Sequence, residues 1–261
     1  MTNADLVGDA TPRAIDPDEP DRPPSAPGDE GVMTLVDHLT ELRNRLIKAI
    51  VAVVVGSAVG WIATPRIMEF LRGPLGDRPL IFLSPGEAFF VYIKISVAVG
   101  IILGMPVILY QLWAFIAPGL TTDERRIVRP WIPLALLLFV VGVFIAYVIL
   151  PFAMAFLLAF EQPEANIRAT ITMNNYFGFI TTLFLAFGLM MEFPILLLGL
   201  SRVGIVTSER LRAVRRYVIV GIALFATIVT PGGDIVSPTV LGLTMYVLFE
   251  LSIWFIRRSG R

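Results

Sequence analysis

Apolar positions along this chain fall into two regimes. In the first, Leu35, Val36, Leu39, Leu42 and Leu46 recur at helical spacing, while Asp37, Thr40, Glu41, Asn44 and Arg45 fall off that stripe. The pattern predicts an amphipathic helix lying at a membrane surface. Thr34 is its N-cap, and Asp37 completes a capping box. From Leu46 onward periodicity gives way to long apolar runs. The clearest, Trp131 to Phe160, contains no ionisable group except the Tyr147 phenol. A run of about 18 or more apolar residues reads as a spanning helix, because about 20 residues at ~1.5 Å rise cross the hydrocarbon.

Six spans are predicted. The first covers Leu46 to Ala63, and the second Ala88 to Leu109 after a helix start at Ser84-Pro85-Gly86-Glu87, with Ser84 as cap and Glu87 closing a capping box. Pro118 and Gly119 mark a loop. Thr121-Thr122-Asp123-Glu124 is a further capping box, opening a short basic helix ahead of Pro130. The third span is Trp131 to Leu157, kinked by Pro151, and the fourth Tyr176 to Leu200, with Pro194 inside it. The fifth, Tyr217 to Val229, reaches only about 20 Å as a helix. It turns at Thr230-Pro231-Gly232-Gly233-Asp234 into the sixth, Val236 to Ile256. This last hairpin falls short of a normal bilayer, and local thinning is the expected accommodation. Lys and Arg set the orientation. Arg43, Arg45, Lys48, Arg125, Arg126, Arg129, Arg202, Arg210, Arg212, Arg215, Arg216, Arg257, Arg258 and Arg261 lie on one side, against Arg66, Arg72, Arg78 and Arg168 on the other. The reading is an all-α integral membrane protein with six transmembrane helices, the last two short, and with both termini cytoplasmic. It divides into an acidic, Pro-rich disordered tail (1–32), a six-span domain (33–256) and a short basic tail (257–261).

Composition sharpens this picture mainly by exclusion. Hydrophobic residues make up 56% and charged residues 16%, against roughly a quarter charged in soluble domains. Net charge is zero, which leaves no nucleic-acid footprint. Cysteine is absent and His38 is the sole histidine, so metal sites built on these ligands are excluded. No HExxH, GxSxG, paired-aspartate or phosphate-loop pattern is present, which argues against an enzyme and against nucleotide hydrolysis. No cofactor is implied. Residues 1–31 hold eight acidic side chains, two arginines and six prolines, with no apolar core, so they are neither a signal peptide nor a foldable segment.

Polar residues within the apolar runs carry the remaining information, since a charge at the bilayer centre costs about 3 kcal/mol or more. Glu192 lies deep in the fourth span. It is either a functional group facing a cavity or partner, or a protonated carboxyl bonded to a neighbouring helix. Lys94 reads as snorkelling to the outer interface. Glu250 reads as structural, within reach of Arg257 or the headgroups. Glu41 and Glu124 are carboxylates in basic surroundings, each with a local explanation: Glu41 pairs with Arg45 at i, i+4, and Glu124 closes the Thr121 capping box.

Several strings together resemble the TatC family. They are His38-Leu39-Thr40-Glu41-Leu42-Arg43-Asn44-Arg45-Leu46, then Pro106 to Leu120 followed by Glu124-Arg125-Arg126, then Phe187-Gly188 with Glu192-Phe193-Pro194, and Thr230-Pro231 with Asp234. The resemblance covers about residues 33–256. It implies a non-enzymatic receptor that binds the twin-arginine signal peptides of folded cargo proteins and nucleates an export complex driven by the proton-motive force. It also implies a multi-pass protein of the bacterial cytoplasmic membrane. Glu41 and Glu124 would receive the arginine pair, with Arg43, Phe115 and Arg126 in the same site. Glu192 would meet a polar group on the helix of a TatA- or TatB-type single-span partner. Pro118 would fix the first inner loop, Pro74 and Glu87 would belong to the outer cap, and Asp234 to the last turn. Membrane lipid and further copies of the chain complete the implied partners. Two departures stand out: the turn after Pro231 is one residue longer than in many relatives, and Pro238 replaces a common glutamine. The rival reading, a proton-coupled secondary transporter using Glu192, lacks the internal repeat of such folds.

Overall fold

The structure, a computed structural model, describes residues 35–119, 121, 125–126, 129–162, 164, 169–202, 204–230 and 233–258. The chain divides into two compact units, Met1–Leu39 and Thr40–Arg261. Eight α-helices are described: α1 Leu35–Leu71, α2 Glu87–Ile116, α3 Trp131–Leu158, α4 Met173–Met190, α5 Phe193–Arg202, α6 Ser208–Ala213, α7 Arg215–Val229 and α8 Val236–Arg258. Two 3₁₀ turns follow α1 and α2, at Gly73–Leu75 and Ala117–Gly119.

Five segments are long and apolar enough to cross a membrane: those of α1, α2, α3, α4 with α5, and α8. Apolar side chains cover much of their outer surface, as lipid contact requires. Ile62, Phe90, Phe144 and Phe152 are all more than half exposed. With its 15 residues, or about 22 Å, α7 is not among these five. The amphipathic start and the first span are one continuous helix, which runs past the expected end at Ala63 and through Pro65 to Leu71. The Thr34 cap lies outside the described residues. The fourth span is not one helix but two. At Met191–Glu192 the chain makes a turn, with Glu192 N–H donating to the Leu189 carbonyl (3.1 Å) before α5 begins at Phe193. Pro194 is the second residue of α5, where its missing N–H costs nothing. α8 includes Arg257 and Arg258, so the basic tail starts as helix.

The core lies where α3 crosses α4. Phe139, Ala146, Leu150 and Ala153 meet Phe177, Ile180, Leu183 and Phe187, all almost fully buried, and Val91 and Ile95 of α2 and Leu241 and Phe249 of α8 extend it. The two backbones approach closely at Gly142. A Cβ there would stand 2.4 Å from the Phe187 carbonyl oxygen and 2.6 Å from Met191 Cγ. Gly142→Ala is therefore expected to lower the melting temperature of the purified protein, at the upper end of the ~1–3 kcal/mol range for overpacking. Gly199→Ala, in open space on α5, serves as the matched control. Equal melting of the two variants would contradict this packing.

Along α1 the packing is different. Only 11% of its most apolar window is buried. It meets α2 through small and hydroxyl-bearing residues: Gly56 and Gly60 on one side, Ser96, Gly100 and Gly104 on the other. The hydroxyls are satisfied within the seam. Thr64 donates to the Gly60 carbonyl (2.8 Å) and meets Ser96 Oγ (3.1 Å), and Ser57 donates to Val53 (2.7 Å). Small residues that let backbones approach are what holds helices together in lipid, where apolar area alone gives no preference.

Candidate functional site

One rim of the structure is laced by long-range polar contacts. Ile81 bridges Thr172 in parallel, its N–H donating to the Ile171 carbonyl (3.1 Å) and its carbonyl accepting from Met173 N–H (2.8 Å). The N-cap is Gly86 rather than Ser84 as expected, although the Glu87 carboxylate still takes a backbone hydrogen bond from Ser84. The α-helix starts at Glu87 itself, and the carboxylate accepts from Leu83 N–H (2.7 Å) and, across the structure, from Asn174 N–H (2.9 Å). Lys94 Nζ donates to Asn174 Oδ1 (2.8 Å), so it is anchored by a protein partner rather than only reaching for headgroups. Tyr176 Oη donates to the Leu71 carbonyl (2.5 Å). Arg78 clamps Glu161 with both terminal nitrogens (2.5 and 2.9 Å), and Glu161 also accepts from Ala169 N–H (2.9 Å). The hydrogen bond to Glu161 holds the Arg78 guanidinium above its ordinary value. Pro74 sits half-buried in the 3₁₀ turn of this cap.

The expected peptide-site residues are carried by two elements. On α1, Arg45 Nε donates to Glu41 Oε1 (2.9 Å), with Arg45 Nη2 on the same oxygen, which is the i, i+4 pair read from spacing. Glu41 is half-buried and Arg43 is exposed. Between α2 and α3, Phe115 is half-buried, Pro118 is exposed on the 3₁₀ turn and Arg126 is exposed in a helical turn. Arg125 folds back so that its Nη2 donates to the Ala117 carbonyl (2.9 Å), closing this connection on itself. Glu124 lies outside the described residues.

Glu192 stands at the α4–α5 break. Among the described residues its buried Oε1 has no hydrogen-bond partner. The last hairpin is capped by Asp234, whose Oδ1 accepts from Ser237 N–H (2.5 Å). Asp234 is 4% exposed, and its Oδ2 and the neighbouring Ser237 Oγ have no partner among the described residues. Gly233 enters this turn with φ +71°, a conformation that suits glycine. Pro231 and Gly232 lie outside the described residues. Pro238 and Asp234 line a groove of about 610 Å³ between α7 and α8. Glu250 pairs with Arg215 of α7 (Nε to Oε1, 2.5 Å), not with Arg257 as expected.

Sequence reasoning missed Asn174, Glu161 and Tyr176. Each bonds a group at least 80 positions away, so no local spacing marked them.

Apolar helices long enough to cross a bilayer, a polar cap at one rim and a carboxylate at a helix break define a multi-pass α-helical membrane protein. The family described as "Sec-independent protein translocase protein (TatC)" matches residues 37–243. The chain belongs to the TatC family. It is 37% identical over 234 residues to the TatC protein of Aquifex aeolicus, covering 88% of this chain and 97% of that one. It is also 37% identical over 238 residues to TatC of Escherichia coli K12, covering 87% and 90%. A crystal structure of the twin-arginine translocase receptor TatC superposes with a TM-score of 0.75 at 36% identity, covering 86% of this chain and all of that one. Membership makes the chain a component of a Sec-independent protein translocase; a solute-transporter reading finds no support in these likenesses.

Proposed function

We propose that this chain is the signal-peptide receptor of a twin-arginine translocase, set in a bacterial cytoplasmic membrane with both ends inside. In this reading α7 is the fifth, shortened span, which brings the count to six. The likeness over 86% of the chain to a twin-arginine translocase receptor carries the proposal. The chemistry of α1 supports it. Glu41 already accepts a guanidinium, that of Arg45, and carries exposed Arg43 beside it. A carboxylate takes a guanidinium as a two-pronged fork that an ammonium cannot reproduce. Glu124 is the second acceptor, and Phe115 and Arg126 border the pair. Cargo is a folded protein, single-span TatA- and TatB-type subunits are the membrane partners, and the proton-motive force drives transport.

The test is binding of a fluorescent signal peptide to the purified protein. Each of Glu41→Ala and Glu124→Ala is expected to weaken binding by about ten- to a hundredfold, the worth of a charge-assisted hydrogen bond. Changing both peptide arginines to lysine is expected to have a comparable effect. Unchanged affinity in both protein variants would remove the proposed site.

A further inference from the structure

A second charged site surrounds the Glu250–Arg215 pair. Arg212, Arg215, Glu250, Ile253, Trp254 and Arg257 enclose a pocket of about 420 Å³. It is built where α6 meets the first turn of α7 and the last turns of α8. Glu250 neutralises Arg215 through their ion pair. Arg212 and Arg257 form no ion pair among the described residues, so the pocket lining carries three guanidiniums against the single carboxylate of Glu250, which is paired with Arg215. The Arg258 guanidinium lies 5.4 Å from the Trp254 ring centroid, which adds positive charge at the edge.

What adjoins the pocket identifies the occupant. Trp254, Phe255 and Leu251 on α8 and Tyr217, Val220 and Leu224 on α7 are all 45–66% exposed. Apolar side chains thus continue from the pocket along the same two helices, and in this multi-pass protein they face acyl chains. A ligand with an anionic phosphate at one end and hydrocarbon at the other matches both parts. A free phosphate uses only the first. We infer that this pocket binds the phosphodiester headgroup of an anionic membrane lipid, with Arg212 and Arg257 as the phosphate donors and Trp254 at the headgroup level. Guanidinium forks suit phosphate oxygens, basic pockets between membrane helices take anionic headgroups, and tryptophan favours the bilayer interface. The inference rests on the membrane fold with α7 as the short span proposed above, and stands whether or not Glu41 receives a peptide.

The full chain, purified in a nonionic detergent and stripped of lipid, is titrated with phosphatidylglycerol, phosphatidylcholine or inorganic phosphate while its melting temperature is followed. Phosphatidylglycerol is expected to raise the melting temperature by several degrees (about 2–4 °C per kcal/mol of linkage), and the other two to leave it unchanged. The R212Q/R257Q double variant is expected to lose at least three-quarters of that rise, and R66Q at the opposite rim to keep it. Native mass spectrometry reads the same site without reliance on the double variant's folding. Wild type retains phosphatidylglycerol over phosphatidylcholine at least fivefold, and R257Q alone reduces that preference. An equal response to phosphatidylcholine, a rise reproduced by inorganic phosphate, or a full response in the variants would overturn the assignment.

Discussion

Gly100→Ala is expected to loosen α1 from the rest of the protein and to be among the most damaging single-methyl additions in the chain. A Cβ at Gly100 would stand 2.1 Å from Ser57 Oγ, 2.6 Å from the Val53 carbonyl oxygen and 2.7 Å from Ser57 N. The hydroxyl could rotate, at the loss of its bond to Val53. The two backbone atoms cannot move without the helix. The reciprocal contacts, Gly56 and Gly60 against the Gly100 and Ser96 carbonyls at 2.8 Å, leave no slack on the other side. With so little of α1 buried, a displaced seam has few other contacts to fall back on. Overpacking of ~3 kcal/mol corresponds to a drop of about 6–12 °C in melting temperature for a chain of this size. Because α1 carries Glu41, signal-peptide affinity falls with it. Gly221→Ala, in open space on α7, is the control. Wild-type melting and peptide binding in Gly100→Ala would show that the seam does not hold α1.

Glu192→Leu is expected to split two properties that usually move together. In the isolated protein, Oε1 is buried without a partner. An unmet buried polar group costs about 1–3 kcal/mol, and an apolar side chain of similar size relieves that cost. The isolated variant therefore melts no lower than wild type, and above it if the carboxyl is a pure burden. Assembly with single-span partners falls by about tenfold or more, since the proposed bond to a partner helix is gone. Peptide affinity stays within about twofold. Co-purification of partner subunits reads the first effect and thermal unfolding of the isolated chain the second. A variant that unfolds more readily yet still assembles would make Glu192 a structural residue.

Much of this architecture was legible from the chain. Uncharged runs located the spanning helices, because nothing else tolerates such length without charge. Glu41 with Arg45 was readable because both partners lie within one helical turn. The α4–α5 break was not read, since apolar residues continue through it and the fourth span looked unbroken. Yet Pro194 favours the first turn of a helix over its middle, which points to a new start at Phe193. The pairings of Glu250 with Arg215, Glu87 with Asn174 and Arg78 with Glu161 depend on which helices become neighbours. For Glu250 the nearest cation in sequence, Arg257, was the natural choice, but it sits two turns along the same helix while Arg215 stands on the adjoining one. The TatC family itself came from short strings in the right order, not from any single residue.

The cap ties the end of α1, the start of α2, the end of α3 and the start of α4 at one rim, through Tyr176, Glu87, Glu161 and Asn174. Helices riveted at one end move like the ribs of a fan: displacement is smallest at the rivet and grows with distance from it. Along the 30 residues of α2, about 45 Å of helix, a 5° tilt about the cap carries the far end by roughly 4 Å. Any tilt about this rim is therefore felt most at the opposite end, where it meets the packing of Met105 and Leu109 against Phe139.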